Sequence, residues 1–280
     1  MRIATWNVNS LKQRLPKVTD WLARNGVDVL LMQETKLADD AAPEMAFRMA
    51  GYELAHHGEG RWNGVAIASR IGLEDVQRGF GPDPDPDGAR FLSALCGGVR
   101  VGSLYAPNGR MVGGEFWHAK LAWYARLRAW LDARDPGEPL VLGGDFNVAP
   151  TDLDVWDPGA FVGATHVTVE ERGAFTALLE WGLVDVYRLH HPEGGRFSWW
   201  DYRAGSFHKG EGMRIDHLLA TRPLVPRITA AEIDREARKN PIPSDHSPVV
   251  VDFADEAGTD DERGPAATER SVTAPAVPSA

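Results

Sequence analysis

Cysteine is all but missing from this 280-residue chain, in which Cys96 stands alone. One thiol can neither close an internal disulfide nor build a multi-thiolate zinc centre. No stretch approaches the ~18 consecutive apolar residues that a membrane helix needs. The N-terminus, Met1-Arg2-Ile3-Ala4-Thr5-Trp6, leads directly into a strand-like run, without the apolar stretch and small-residue cleavage site of a secretory signal. A cytoplasmic location is therefore expected. Positive charge is also in short supply: 30 Lys and Arg against 40 Asp and Glu leave a net charge of −10. That balance argues against coating nucleic acid by bulk charge, so any DNA contact needs a local basic patch.

Part of the acidity lies at the end of the chain. Residues 254–280 carry six acids and two bases, −4 of the −10, which leaves −6 for the rest. The segment is poor in large apolar residues and ends Ser-Val-Thr-Ala-Pro-Ala-Val-Pro-Ser-Ala, and it is expected to be a disordered acidic tail. Residues 1–253 show no break in composition and are expected to form one catalytic domain.

Short β-branched runs alternate with helical patterns along that domain. Strands are predicted at Ile3–Val8, Val27–Met32, Gly64–Ser69, Arg90–Leu95, Val99–Leu104 and Pro139–Leu142. Further strands are predicted at Val184–Tyr187, Phe197–Trp200, Arg214–Ala220, Arg227–Ile233 and Pro248–Phe253. Helices are predicted at Leu15–Arg24, at Phe116–Leu131 with Phe116, Lys120, Trp123, Leu127 and Trp130 on one core-facing stripe, and at Glu170–Trp181 before Gly182. The stretch Gly81-Pro-Asp-Pro-Asp-Pro-Asp-Gly88 is a loop by composition. So many strands with so few helices imply an α/β (α+β) fold of four layers, two mixed sheets face to face with helices outside.

Polar residues at the ends of apolar strands are the anomaly that points to chemistry. They are Asn7 and Asn9, Glu34, the pair Asp145 and Asn147 on one face of an extended chain, Asp216, and Asp245-His246. The set suits phosphodiester hydrolysis. Mg²⁺ takes hard oxygen ligands and binds through one or two carboxylates plus substrate phosphate, a role that fits Glu34 helped by Asn7. Asp145 suits the preparation of a water nucleophile, with Asn147 beside it. Asp216 with His246 forms a dyad able to stabilise charge on phosphoryl oxygens, and Asp245 is a candidate second carboxylate at the metal. The pairs His56-His57 and His190-His191 lack a ligand pattern and are expected on the surface, while Arg61, Arg110, Arg203, His208 and Lys209 are candidates for the basic patch.

These motifs resemble the exonuclease III family of DNA-repair nucleases, within the endonuclease/exonuclease/phosphatase superfamily that includes pancreatic deoxyribonuclease. The resemblance runs from Met1 to about Phe253 through Trp6-Asn7-Val8-Asn9, Gln33-Glu34-Thr35-Lys36, Gly144-Asp145-Phe146-Asn147, Arg214-Ile215-Asp216 and Ser244-Asp245-His246-Ser247-Pro248. Narrower matches are Leu104-Tyr105-Ala106-Pro107-Asn108-Gly109, Gly182 to Arg188, and Phe197-Ser198-Trp199-Trp200-Asp201-Tyr202. The family implies Mg²⁺ or Mn²⁺ dependence, incision of double-stranded DNA 5′ to abasic sites, and 3′-to-5′ exonuclease and 3′-phosphatase activity. It implies the catalytic set Tyr105, Asp145, Asn147, Asp216 and His246. The metal-site positions it implies are Asn7, Glu34, Asp145, Asn147, Asp245 and His246. Asn108 matches a phosphate-contacting amide, and Trp199, Met213 and Ile215 would wall the pocket for an abasic sugar; Arg110, a basic-patch candidate beside Asn108, is expected to meet DNA on its position alone. Met213 stands where some relatives have tryptophan or leucine, and Ser10 where many have glycine. The competing readings are a small-phosphoester phosphodiesterase on the same fold, against which the Phe197–Tyr202 segment speaks, and a non-catalytic scaffold, which would be expected to lack Glu34, Asp145, Asp216 or His246.

Overall fold

The computed structural model describes residues 1–239 and 241–254; apart from Ala254, the expected tail lies outside them. The chain begins β1 (Arg2–Asn7), α1 (Leu11–Asn25), β2 (Val29–Gln33), α2 (Glu44–Met49), β3 (Glu53–His57) and β4 (Val65–Ser69). Next come β5 (Glu74–Arg78), β6 (Phe91–Cys96), β7 (Val99–Tyr105), α3 (Glu115–Asp132) and β8 (Leu140–Asp145). There follow α4 (Val169–Trp181), β9 (Leu183–Asp185), α5 (Val186–His190), β10 (Trp199–Trp200) and α6 (Ser206–Lys209). Last are β11 (Gly212–Met213), β12 (Asp216–Thr221), β13 (Ile228–Ile233) and β14 (Val249–Phe253).

Two six-stranded sheets form, in the orders β13-β14-β1-β2-β4-β3 and β5-β6-β7-β8-β12-β9, with β10 and β11 as a separate hairpin. Both are mixed: β1 and β2 run parallel in the first, β7 and β8 in the second, and the remaining pairs are antiparallel. The expected four-layered sandwich is what the chain forms.

Strand periodicity explains the layers. In the first sheet Ile3, Val29, Leu31, Val65 and Ile67 face the second sheet, where Leu92, Ala94, Val101, Val141 and Leu218 meet them. The alternate residues Ala4, Trp6, Leu30, Met32 and Ala66 face outward onto Leu11, Val18, Trp21 and Leu22 of α1. On the other side Phe91, Leu104, Leu140 and Leu142 lie under Trp123, Tyr124, Leu127 and Trp130 of α3. Because β2 is buried on both faces its sequence is a continuous apolar run and shows no alternation.

Several expectations shift. Phe116 is 47% exposed, and the buried stripe of α3 starts one residue later, at Trp117. The strand expected at Val184–Tyr187 ends at Asp185, whose carboxylate accepts from the Arg188 backbone N–H at 3.1 Å and so starts α5. The edge strand β5, with its charged and half-exposed residues, was not foreseen, nor was β3.

Glycines bring the layers together under the site. A Cβ on Gly143 would stand 2.6 Å from both Leu218 and Leu31, one from each sheet, and one on Gly144 would stand 1.9 Å from the Leu104 carbonyl oxygen. Only glycine lets β8 run this close to its neighbours just before Asp145.

Candidate active site

Strand pairing sets the site. In the second sheet Tyr105, Asp145 and Asp216 stand in one row across β7, β8 and β12. In the first sheet Asn7 stands beside Gln33 at the ends of β1 and β2, and Glu34 follows at once. Beneath them a buried polar bridge joins the sheets: Gln33 Nε2 donates to Thr5 Oγ1 at 3.0 Å and to Ser103 Oγ at 3.1 Å, and the Ser103 hydroxyl donates to the Met32 carbonyl at 2.9 Å. Every one of these groups is satisfied, so the bridge fixes the sheets' relative position at the site.

Asp145 is the centre, only 2% exposed. Its Oδ1 accepts the Asn147 backbone N–H at 2.9 Å, and its Oδ2 accepts the Asn7 side-chain amide at 3.0 Å. The same Asn7 nitrogen donates to Glu34 Oε1 at 2.8 Å, and the Asn7 oxygen accepts from the Asn9 backbone at 3.0 Å. Asn7 thus clamps the two carboxylates with its nitrogen, and its oxygen is turned away from them. Lys36 holds the other Glu34 oxygen at 2.9 Å and reaches Asn9 Oδ1 at 2.5 Å. Asn147 spends its amide nitrogen on the Ala106 carbonyl at 2.9 Å, while its oxygen takes the Asn108 amide at 3.3 Å.

His246 stands between two carboxylates. Nδ1 lies 2.9 Å and 3.1 Å from the Asp216 oxygens, and Nε2 lies 3.8 Å from Asp145 Oδ2. Burial alone would favour the neutral ring, but Asp216 and Asp145 outweigh it and raise the imidazole to about 10. Burial, with Asp216 and Glu34 nearby, pushes Asp145 up to about 7 against the pull of His246. Burial, then the Glu34 and Asp145 carboxylates, raises the Tyr105 phenol well above its ordinary value, so it stays a neutral donor, with the Arg90 guanidinium 4.7 Å over its ring.

Asp245 stands apart from this centre: its oxygens accept from Asn9 Nδ2 at 2.9 Å and Trp199 Nε1 at 3.1 Å. Of the residues expected to wall a sugar pocket, Met213 and Ile215 are almost wholly buried and pack with Val155, Phe161 and Trp199. Trp200 is the core member of its pair and Trp199 the half-buried one. Arg110 is exposed and lies over the Phe116 ring at 3.7 Å. Of the other basic candidates, Arg203 pairs with Asp201 and Lys209 with Glu211, whereas Arg61 lies over Trp62.

The expectation for His56 fails. It is buried, with Nε2 2.8 Å from the Thr35 hydroxyl and Nδ1 2.8 Å from Asp39, because the chain after Glu34 folds back over β3. His57 is half-buried, and His190 is exposed as expected. Two residues at the site went unnoticed. His166, with a left-handed backbone (φ 79), sets its Nδ1 2.6 Å from the Asn147 carbonyl oxygen; burial first, then Lys120, lowers it to about 4. A lone loop histidine gives no sequence signal. Lys120 does give one, as a lysine on an apolar helical stripe.

Left-handed backbones gather here: Asn9 (φ 42), Ser10 (φ 87), Glu34 (φ 51), Lys36 (φ 53) and Asn147 (φ 52). Such conformations persist where surrounding bonds over-determine them, as at functional sites. Oxygens of Glu34 and Asp145 and a nitrogen of His246 lie within 4.8 Å of one another. Two carboxylates that close, with Asp145 driven toward its neutral form, are what a divalent cation would relieve, so the donor set fits one. The oxygens of Glu34 and Asp145 suit Mg²⁺, whereas His246 in its protonated form has no lone pair to offer.

The family model for the Endonuclease/Exonuclease/phosphatase family matches residues 4–246. The chain belongs to this family. Among its relatives, exodeoxyribonuclease III of Haemophilus influenzae is 31% identical over 269 residues, which cover 90% of this chain and 100% of that protein. A Neisseria 3′ phosphatase solved with a product DNA hairpin is 39% identical over 90% of this chain and 99% of its own, with a TM-score of 0.88. An AP endonuclease from Archaeoglobus fulgidus is 38% identical, again over 90% and 99%, with a TM-score of 0.87. Among the described residues no helix is long and apolar enough to cross a membrane.

Proposed function

We propose that this protein is a metal-dependent DNA-repair hydrolase. It cuts double-stranded DNA 5′ to abasic sites and removes nucleotides or phosphate blocks from 3′ ends, as a cytoplasmic monomer using Mg²⁺, with Mn²⁺ able to replace it. The observation that carries the reading is the buried Asp145, braced by the Asn147 N–H and the Asn7 amide and faced by the Asp216–His246 pair. The names and DNA ligand of the relatives support the substrate class.

Asp145, aimed by the Asn147 N–H and the Asn7 amide, takes a proton from the attacking water. Protonated His246, held by Asp216, places positive charge where the phosphoryl oxygens gain negative charge. The neutral Tyr105 phenol donates to the scissile phosphate or the leaving oxygen. Glu34, oriented by Asn7 and Lys36, would hold the cation with Asp145. When bound, that cation neutralises phosphate charge and polarises the phosphorus centre. Asn108, linked to Asn147, steadies a non-bridging oxygen.

The test compares duplexes bearing one abasic site, a 3′-phosphate or no lesion, with Mg²⁺ and with EDTA. Metal-dependent release from a lesion-bearing duplex is expected. Turnover of small phosphoesters with none on any duplex would overturn the reading.

A further inference from the structure

Lys120 has no evident reason to be where it is. It sits on the buried stripe of α3, and its side chain is 0% exposed, as is that of its partner Glu171 from α4. A lysine so placed is costly unless every proton finds an acceptor. Here the ammonium has three: Glu171 Oε1 at 2.5 Å, the Asn147 carbonyl at 2.6 Å and the Asn108 carbonyl at 3.4 Å. Both carbonyls belong to loops that deliver site residues, one following Tyr105 on β7, the other following Asp145 on β8.

The carboxylate end is equally complete. Glu171 Oε1 also accepts the Thr165 hydroxyl at 2.6 Å, and Oε2 accepts the Thr168 hydroxyl at 2.8 Å and backbone N–H at 3.2 Å, closing the N-terminal cap of α4. The chain after Asn108 is packed down onto the pair: a Cβ on Gly109 would stand 2.7 Å from Thr165 Oγ1 and 3.2 Å from Lys120 Cδ. Core packing alone would be served by a methionine. What the lysine adds is a charged second hold, beside His166 Nδ1 at 2.6 Å, on the carbonyl of Asn147, a residue with φ 52 whose own N–H holds Asp145 Oδ1.

We propose that Lys120 is a positioning residue for the reaction: through the Asn147 carbonyl it locks the left-handed turn that aims Asp145, and through the Asn108 carbonyl it ties the Tyr105 loop to the same point. The proposal rests on the reading of Asp145 as the group that prepares the nucleophile.

The test is the full chain carrying Lys120→Met with Glu171→Gln, a nearly isosteric uncharged pair. The readouts are thermal stability, kcat and KM for Mg²⁺-dependent cleavage, and exchange of the Asn147 amide proton. The expected result is a kcat about 10- to 100-fold lower, the scale of a small misplacement at a reacting centre. KM should stay within about twofold, and the Asn147 amide should exchange faster while amides inside β8 do not change. An unchanged kcat in the folded variant overturns the proposal, and the amide then says which part failed. A loosened amide faults the role given to Asp145, and an unmoved amide faults the lock itself. Should the pair fail to fold, Thr165→Val removes one hydroxyl from the same carboxylate. There kcat should fall about threefold at constant KM, and native kcat would overturn the proposal.

Discussion

Asp216 and His246 meet across the sandwich. The aspartate opens β12 in one sheet, the histidine precedes β14 in the other, and Nδ1 lies 2.9 Å from Oδ2. The carboxylate fixes Nδ1–H as the donor, so Nε2 is the nitrogen that faces Asp145 at 3.8 Å. The closing of the two sheets on each other is therefore what assembles the site.

Asp145→Ala separates the roles within that arrangement. It removes the acceptor of the water's proton and leaves the phosphate-facing amides in place. A loss of about 10²–10⁴ in kcat is expected, with DNA binding still measurable by a gel-shift or anisotropy assay. A near-native rate would overturn the base role given to Asp145.

Glu34→Gln removes a charge but keeps the shape and the bond to Asn7. The half-saturating Mg²⁺ concentration in an activity titration should rise, while affinity for DNA in EDTA is unchanged. If that concentration does not move, Glu34 is not a metal ligand.

The sequence revealed what local chemistry controls. Strand-end polar residues and short β-branched runs leave marks in a few adjacent residues; the first pointed to the site and the second, with so few helical patterns among them, to the sandwich. It was silent where a role depends on distant partners. His56 looked like a surface residue until Thr35 and Asp39 closed around it. The partners of Asp245, Asn9 and Trp199, lie far away in the chain and leave no mark beside it. The acidic loop has a partner that no local pattern gives: Arg126 on α3 reaches both Asp85 and Asp87. The start of the α3 stripe slipped by one residue because Phe116 and Trp117 are equally apolar and only the fold chooses between them.

His217 gives the acid limit of stability a specific cause. The ring is fully buried; Nδ1 accepts from Arg214 at 2.9 Å and Nε2–H donates to the Val148 carbonyl at 2.9 Å, so both nitrogens are used in the neutral form. Burial, then Arg214, lowers it from 6.5 to about 4. Below pH 6.5 the unfolded chain takes up a proton that the folded chain refuses until about pH 4. Stability is thus lost as pH falls through that window, by about 1.4 kcal/mol per unit and about 3 kcal/mol in all. His166 titrates in the same direction, so the comparison is by difference. Urea unfolding of His217→Gln between pH 7 and pH 4 should show a pH dependence shallower by about one proton. An identical slope would mean that His217 does not carry the effect.

An acidic protein that binds a polyanion must do so through a few cations on one face. Arg110 is the leading candidate among those expected. It is exposed, follows Asn108 directly, and has no carboxylate partner among the described residues, its guanidinium lying instead over Phe116. It lines a hollow of about 520 Å³ with Trp62, Asn63, Asp85 and Asp87. The two aspartates there would oppose a phosphate, but Arg126 already pairs with both. Each duplex phosphate neutralised adds about −0.9 to the slope of log K against log salt. Arg110→Ala should therefore flatten that slope by about one unit, measured by anisotropy over a salt series in EDTA. Arg203→Ala is the internal comparison: its guanidinium sits with Asp201, 89% exposed, and its loss should change the slope less. If the two variants change the slope equally, Arg110 has no privileged phosphate. If only Arg203→Ala changes it, the DNA runs along the Tyr202 side of the site, away from the hollow beside Asn108.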